Sequence, residues 1–172
     1  MPEIVVIAHN IRSTHNVGAI FRTCEGFGVQ RLILSGYTPF PKLEHDLRLP
    51  HIAEKLSSQI HKTALGAETM VPFTYQEQIV PTLNELRRMD YRIVGLEQDP
   101  QAILLPDYQP PKKIALLLGE EVDGISAELR TLCHDLIEIP MQGKKESFNV
   151  SVATGVALYA LHYNYTSNLI NA

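Results

Sequence analysis

Residues 139–153 read IPMQGKKESFNVSVA and place a polar loop between two apolar segments. A strand-like apolar run ends at Pro140, a short loop with two lysines follows, and an apolar segment typical of a buried helix begins near Ser147. Ser147 and Asn149 stand where the loop enters that helix, so we expect their side chains to face the neighbouring crevice. A polar loop between two buried elements is where an α/β protein usually binds a small ligand.

The composition is that of a globular domain. The 172 residues are 45% hydrophobic and 20% charged, which fits a single domain spanning residues 1–172. The first residues show no basic leader pattern and no apolar run reaches membrane-spanning length, which favours a cytoplasmic protein that does not enter a membrane. Cys24 and Cys133 belong to no CxxC pair and are typical of small buried thiols.

The net charge of −4 argues against a general nucleic-acid coat, but the charge is unevenly distributed. Residues 1–62 hold seven Lys and Arg against five Asp and Glu, whereas the remainder holds eight against fourteen. We therefore expect a polyanionic partner to contact the N-terminal third together with Lys144 and Lys145.

Short apolar runs recur along the chain, with helical patterns between them. Near-continuous apolar strands separated by helices predict an α/β fold whose mostly parallel sheet is flanked by helices on both faces. The predicted strands are residues 4–8, 31–34, 92–96, 114–118 and 136–139, with a weaker candidate at 70–73.

Two helices are predicted in the first half of the chain. Asn16 is a candidate N-cap of the first, and Gly28 can end it. The second covers residues 76–89. Residues 36–51 contain three prolines and form the longest irregular region, so they are a candidate functional loop.

Two more helices are predicted near the C-terminus. Ser126 is the N-cap of one, with Glu128 in its first turn. The last runs from about Ser147 to Tyr163 and should bury residues such as Val156. Because it is apolar around most of its circumference, we expect a C₂ homodimer with this helix in the interface.

Several common ligand motifs are missing from the sequence. No GxGxxG follows the first strand and no GxxxxGK[ST] occurs, so neither a Rossmann dinucleotide site nor a P-loop is predicted. The histidines form no helical i, i+4 pair with a carboxylate between them, so we expect no metal. A serine nucleophile elbow is also absent.

Three loops at the carboxyl ends of predicted strands remain. They are residues 10–22, 118–126 (LGEEVDGIS) and 139–153. The first contains Asn16, Gly18 and Arg22. In this order and spacing the loops resemble the three signature motifs of the SpoU/TrmH-type RNA 2′-O-ribose methyltransferases, a branch of the SPOUT class. The resemblance runs from about residue 4 to 161, and its strength lies in the combination.

The resemblance implies a fold, a cofactor and an oligomeric state. These are an α/β fold with a C-terminal trefoil knot, S-adenosylmethionine held by the knotted loops, and a homodimer. By motif match, cofactor contacts fall on Gly119, Ile139 and Phe148, with Leu96 at the end of the preceding strand as a further candidate. Phe148 stands where leucine is usual in the family, a change that would reshape the adenine pocket.

The motif match also implies a catalytic set, namely Arg22, Asn16, Glu121, Ser147 and Asn149. Arg22 would act on the ribose 2′-hydroxyl, either as the base or by orienting the hydroxyl and stabilising developing negative charge. The family's dimer would bring Arg22 of one subunit to the cofactor of the other. Taken alone, Asn16 could be only a helix cap, Arg22 a surface charge and Glu121 a solvated turn residue.

The resemblance implies an RNA substrate, and we expect tRNA because a limited basic surface suits a compact structure with splayed nucleotides. The alternatives are 2′-O-methylation of rRNA, N-methylation of a base as in the related tRNA guanine-N1 methyltransferases, and a catalytically idle SPOUT module that binds RNA as an assembly factor. The residues expected to contact RNA are Arg12, His15, Lys42, Arg48, Lys144 and Lys145.

Overall fold

Seven strands form one sheet in the computed structural model, which describes the backbone of residues 1–171 and the side chains of residues 1–167. The strands are β1 (Glu3–His9), β2 (Arg31–Ser35), β3 (Phe73–Gln76), β4 (Arg92–Leu96), β5 (Ile103–Leu104), β6 (Lys113–Leu118) and β7 (Asp135–Glu138). Their order is β3-β2-β1-β6-β4-β7-β5, and every neighbouring pair is parallel. The expected α/β fold with a mostly parallel sheet is confirmed.

The central strands are buried on both faces, which explains their continuous apolar runs. In β6 every residue after Lys113 is buried. β2 lies on one side of β1 and β6 lies on the other, so the order of the strands reverses direction at β1. Such a reversal of strand order opens a crevice at the carboxyl edge of a parallel sheet.

In the described part of the chain, five α-helices cover the two faces of the sheet. They are α1 (Thr14–Gly26), α2 (Pro50–Ala64), α3 (Ile79–Arg88), α4 (Ala127–Thr131) and α5 (Val150–Asn171). Alternate residues of β1 point to opposite faces, with Val6 in the core beneath α1, α2 and α5 and Ile7 in the core beneath α3 and α4. None of the described helices has the length and hydropathy needed to cross a bilayer.

The sequence did not predict α2, whose buried residues are only Ala53, Ile60 and Ala64. That spacing is too sparse to show a clear helical period. α2 packs closely on α1 at Gly18, where a Cβ atom would lie 2.2 Å from Oγ1 of Thr63 and 2.3 Å from the carbonyl oxygen of Ile60. Gly18 of the first motif therefore serves the packing of two helices.

α1 begins earlier than predicted. Its N-cap is Ser13, whose hydroxyl accepts a hydrogen bond from the backbone amide of Asn16 at 3.3 Å. The prediction of Asn16 as the cap was wrong, because the chain already turns into the helix at Thr14. The side chain of Asn16 is consequently available for contacts outside the helix.

α5 begins later than predicted, at Val150. The side chain of Asn149, not that of Ser147, accepts a hydrogen bond from a first-turn amide, that of Ser151 at 2.9 Å. Val156, predicted to be buried, is 39% exposed because it points away from the sheet.

Other sequence predictions differ less from the structure. Ser126 caps α4 by accepting from the amide of Leu129, as expected. The weaker strand candidate at 70–73 lies too early, since a short 3₁₀ turn at Ala67–Thr69 precedes β3. Residues 36–49 are irregular and pack beside β1 and β2 at the carboxyl edge of the sheet.

Candidate active site

A cleft opens at the carboxyl edge of the sheet, beyond the ends of β4, β6 and β7. All four predicted cofactor-contacting residues line it: Leu96, Gly119, Ile139 and Phe148. We call this the first cleft, and it is also lined by Glu97, Gln98, Leu118, Glu120, Glu121, Glu138, Met141, Ser147, Val150 and Ala153. Residues distant in sequence thus form one surface at the place where α/β proteins bind ligands.

Gly119 is required by the backbone next to it. A Cβ atom at this position would lie 2.3 Å from the carbonyl carbon of Gly124 and 2.5 Å from the amide nitrogen of Ile125. Backbone hydrogen bonds between Glu120 and Gly124, at 3.0 and 3.1 Å, close this tight turn. A side chain at Gly119 would therefore distort the turn before it reached any ligand.

Four glutamates contribute to the lining of the first cleft: Glu97, Glu120, Glu121 and Glu138. The carboxylates of the first three accept hydrogen bonds from neighbouring protein groups. Like charges that share a cleft with apolar walls focus a negative potential inside it. Within the part of the chain that the structure describes, no group of three or more His, Cys, Asp or Glu is arranged to hold a metal ion. The lining favours a ligand that carries positive charge beside an apolar surface.

Glu121 is fixed by donors at the start of α1. Its Oε2 accepts from the amide of Arg12 at 3.1 Å, and its Oε1 accepts from the amide of Ser13 at 3.2 Å and from Nδ2 of Asn16 at 3.1 Å. Partial burial alone would raise the pKa of Glu121, but the hydrogen bonds from Arg12, Asn16 and Ser13 outweigh it and lower the pKa. Glu121 therefore holds the first motif against the second as a charged carboxylate.

Asn16 extends this contact to the third motif. Its Oδ1 accepts a hydrogen bond from Nδ2 of Asn149 at 3.1 Å, while its Nδ2 donates to Glu121. Asn149 in turn accepts at Oδ1 from the amide and hydroxyl of Ser151, at 2.9 and 2.7 Å. A continuous chain of hydrogen bonds thus joins the three loops beside the first cleft.

The loop before α5 places Ser147 and Phe148 at the mouth of the first cleft. Both side chains are exposed, Phe148 to 44%. The loop is attached to the far wall through Gln98, whose side-chain amide donates to the carbonyl of Glu146. The Phe148 ring therefore borders the opening of the first cleft.

Arg22 lies on the exposed side of α1 and is not among the described residues that line the first cleft. Its neighbour Thr23 faces α5, where a Cβ atom added to Gly155 would lie 3.7 Å from the Thr23 methyl group. The chain therefore does not bring Arg22 to its own first cleft, in contrast to Asn16 and Glu121.

Two of the residues predicted to contact RNA already have acidic partners. Nζ of Lys42 lies 3.2 Å from Oε1 of Glu54. Arg48 pairs with Asp46 and donates to the carbonyls of Phe40 and Pro41, at 3.0 and 3.2 Å. The hydrogen bond from the Arg48 side chain brings the pKa of Asp46 far below its ordinary value and outweighs burial, which by itself would raise it. Arg48 therefore shapes the 36–49 loop.

The other four predicted RNA contacts have exposed side chains. Arg12 and His15 flank the start of α1, and the carbonyl of His15 accepts from Oγ1 of Thr63 at 2.9 Å. Lys144 and Lys145 project from the loop before α5. Both groups lie near the carboxyl edge of the sheet, so cations border the acidic first cleft.

Sequence reasoning missed several residues of the site. Glu97 and Gln98 follow β4 directly and Glu138 ends β7, so their position after an apolar run was a usable signal. Asn10 was also missed, although it donates from Nδ2 to Oε1 of Glu120 at 3.0 Å. Its backbone has a left-handed φ of 58°, which asparagine adopts more readily than most residues, so the residue type was a weak signal.

Known proteins resemble this chain over most of its length. The 23S rRNA (guanosine-2′-O-)-methyltransferase RlmB of Nitrosomonas europaea is 33% identical over 158 residues, which are 92% of this chain and 55% of the relative. The same enzyme of Bordetella pertussis is 30% identical over 92% of this chain and 58% of its own. The chain thus spans about half the length of the curated relatives that it matches.

Solved structures share the fold. The A. aeolicus TrmH/SpoU tRNA modifying enzyme superposes with a TM-score of 0.78 at 25% identity, covering 98% of this chain and 78% of that one. The AdoMet-bound rRNA methyltransferase from Sinorhizobium meliloti has a TM-score of 0.76 at 23% identity, and the superposition covers 94% of this chain and 56% of that one. Residues 3–159 match the profile described as the SpoU rRNA Methylase family. The chain belongs to the SpoU rRNA methylase family.

Proposed function

We propose that this protein transfers a methyl group from S-adenosylmethionine to the 2′-hydroxyl of a ribose in RNA. The observation that carries the proposal is the chain of hydrogen bonds from Glu121 through Asn16 to Asn149, which joins all three family motifs beside the first cleft. A protein that kept only the fold would have no need for this constellation of polar side chains.

The first cleft suits this cofactor in shape and charge. The cofactor, when bound, supplies an electrophilic methyl group on a positively charged sulfur. Leu96, Ile139 and Phe148 offer apolar contact to a purine, and the turn after Gly119 offers backbone polar groups. The four carboxylates of the lining complement a cation, which favours the charged donor over its neutral demethylated product.

Arg22 is proposed to act on the ribose hydroxyl. An arginine stays protonated under ordinary conditions, so the simplest role is to orient the hydroxyl and stabilise the negative charge that develops on its oxygen. The hydroxyl proton then leaves to solvent or to an RNA phosphate. We assign to Ser147, which lines the first cleft, a hydrogen bond to the same ribose, and to Asn16 and Asn149 the role of holding the loops in position.

We also propose a homodimer in which Arg22 of one protomer serves the first cleft of its partner. The support is an exposed apolar stripe on α5 formed by Val152, Val156, Tyr159 and Tyr163, which are 51%, 39%, 63% and 62% exposed. Their spacing puts them on one side of the helix, and such a contiguous patch is typical of an interface. Because the TrmH/SpoU neighbour superposes over 98% of this chain, we further propose that the C-terminal segment forms the trefoil knot of that class.

The RNA is proposed to be ribosomal, in the cytoplasm. Curated relatives at 30–33% identity are named 23S rRNA enzymes, which does not support the tRNA expected from the sequence. tRNA stays the second candidate because the A. aeolicus tRNA modifying enzyme superposes over most of both chains. Arg12, His15, Lys144 and Lys145 are the proposed phosphate contacts, since their side chains are exposed; Lys42 is also exposed but is paired with Glu54.

Two measurements test the proposal. Calorimetric titration with S-adenosylmethionine should show binding, and weaker binding of the demethylated product. Incubation with labelled S-adenosylmethionine and total RNA, followed by digestion to nucleosides, should put the label on ribose. Absence of cofactor binding would favour the idle RNA-binding module, and label on a base would contradict the reaction type. Label on tRNA alone would make tRNA, and not rRNA, the first candidate substrate.

A further inference from the structure

A second cleft lies beside the first and is not used by the chemistry described above. It is formed between the start of α1, the 36–49 loop and α2, and among its lining residues are Arg12, Thr14, Tyr37, Phe40, Arg48 and Gln59. Aromatic rings, guanidinium groups and an amide thus share one surface. This mixture of groups is typical of sites for unstacked nucleotides.

Tyr37 is the most distinctive residue of the second cleft, because it is 56% exposed on a tightly fastened segment. Its backbone amide donates to Oδ1 of Asn10 at 3.2 Å. The next residue, Thr38, is buried and donates from its hydroxyl to the carbonyl of Ala8 at 3.0 Å, while accepting from the amide of Ile11 at 2.9 Å. The fold therefore presents an aromatic ring to solvent on a rigid support.

The wall opposite the start of α1 is a stack of three planar groups. The rings of Phe40 and Tyr75 are stacked with centroids 4.1 Å apart, and the guanidinium carbon of Arg48 lies 3.5 Å from the centroid of Phe40. The hydroxyl of Tyr75 donates to the carbonyl of Gly36 at 2.7 Å and so holds the residue before Tyr37. Arg48, which the sequence analysis expects to contact RNA, forms part of this wall.

The side chain of Asn10 links residues of the two clefts. Asn10 accepts from the amide of Tyr37 with Oδ1 and donates to Glu120 of the first cleft with Nδ2, at 3.2 and 3.0 Å. Partial burial and then the carboxylate of Glu120 raise the pKa of the Tyr37 hydroxyl, as expected for groups in close contact. A strand of RNA with one ribose at the mouth of the first cleft would carry its neighbouring nucleotide to the second.

We infer that the second cleft binds a nucleobase adjacent to the methylated nucleotide, by stacking it on Tyr37 with Arg12 at its phosphate. The inference rests on the proposed function and adds a recognition subsite to it. Stacking does not depend on the identity of the base, whereas the amide of Gln59 and the hydroxyl of Thr14 can read its polar edge. The subsite requires single-stranded RNA, because a paired base is not free to enter.

The absence of tryptophan from the sequence permits a direct optical test. The Tyr37→Trp variant carries one indole in the second cleft, and stacking on a base should quench its fluorescence. The matched control is Met70→Trp, because Met70 is 67% exposed and lies before the amino end of β3, whereas the second cleft opens at the carboxyl ends of the strands. The probes are single-stranded oligouridylate, a double-stranded RNA of the same length, and heparin as a polyanion without bases.

Saturable quenching of Tyr37→Trp by the single strand, with little change for the duplex, heparin or Met70→Trp, is the expected result. Equal quenching by heparin would show a response to charge alone and would overturn the stacking. Absence of quenching by the single strand would overturn the subsite. Because the readout needs neither cofactor nor turnover, it tests the subsite whether or not the protein proves to be a methyltransferase.

Steady-state kinetics on an RNA that the protein methylates give a second test. Tyr37→Ala should raise the KM for RNA about tenfold, since a base stacked on an aromatic ring contributes that much or more to affinity. Tyr37→Phe keeps the ring and should stay within about twofold of wild type. The affinity for S-adenosylmethionine should not change in either variant. An unchanged KM in Tyr37→Ala would contradict the inference while leaving the proposed function intact.

Discussion

The hydrogen bond between Asn16 and Asn149 joins α1 to the start of α5, and its contribution to stability can be measured directly. We consider Asn16→Ala, Asn149→Ala and the double variant. Asn16→Ala removes the donor to Glu121 and the acceptor for Asn149, both at 3.1 Å. Asn149→Ala removes the same link and also the hydrogen bond that caps α5 at Ser151.

The magnitudes follow from the kinds of hydrogen bond that are lost. A bond to a charged carboxylate contributes about 1.5–3 kcal/mol and a neutral one about 0.5–1.5 kcal/mol. We expect Asn16→Ala to lower the free energy of unfolding by about 2 kcal/mol, at the low end of that sum because the site is partly open to water. Asn149→Ala should cost about 1.5 kcal/mol, mostly through the lost cap. The double variant should cost about 0.5–1 kcal/mol less than the sum, because both single changes break the same bond.

The assay is urea unfolding at one fixed protein concentration, since association would otherwise change the apparent stability. Asn84→Ala on the exposed side of α3 is the control and should stay within about 0.5 kcal/mol of wild type. If the stability lost in the double variant equals the sum of the two single losses to within about 0.3 kcal/mol, the two side chains do not interact. That result would refute the proposed link between the first and third motifs. Calorimetry on the same variants should show weaker cofactor binding, because Phe148 is held by the same loop.

Four further outcomes are expected. Arg22→Ala should lower kcat about 10²–10³-fold with little change in cofactor affinity, whereas Arg88→Ala on α3 should be neutral; substantial turnover by the former would contradict its assignment. Gly119→Ala should lower the free energy of unfolding by about 1–3 kcal/mol because its Cβ meets the turn backbone, and an unchanged urea midpoint would show that the turn can yield. Val156→Asp should convert a dimer to monomers in light scattering and abolish activity, and a dimer that persists would place the interface elsewhere. The pKa of Glu121 is lowered from 4.5 in the folded protein, so the stabilisation by its carboxylate is present above pH 4.5 and is lost as the pH falls through the folded pKa. The Glu121→Gln variant should therefore lose less stability than wild type on acidification. Parallel profiles of stability against pH would contradict this.

Much of the sheet could be predicted because its signal is local. Each central strand is a continuous apolar run, as in β6 and β1, and burial on both faces is the reason for that pattern. The helices were predicted where the apolar period was dense, and α2 was missed because its buried contacts are few and small. Helix starts were predicted less well, since Ser13 and Asn16 are both suitable caps and only the path of the chain selects one.

The three motif loops were also evident from sequence, because they follow predicted strands and strands in a parallel sheet end at a common edge, whereas Glu97, Gln98 and Glu138 were missed. Sequence alone thus determined the fold class, the edge of the sheet where a ligand is expected and the loops that surround it. Which atoms meet there was decided by the tertiary structure. Asn16 and Asn149 are separated by 133 positions, so their contact depends on how α1 and α5 pack on the sheet, and no local pattern encodes that distance. The same holds for the second cleft, where Tyr37 becomes a rigid exposed ring only because Asn10 and Thr38 fasten its backbone to the end of β1.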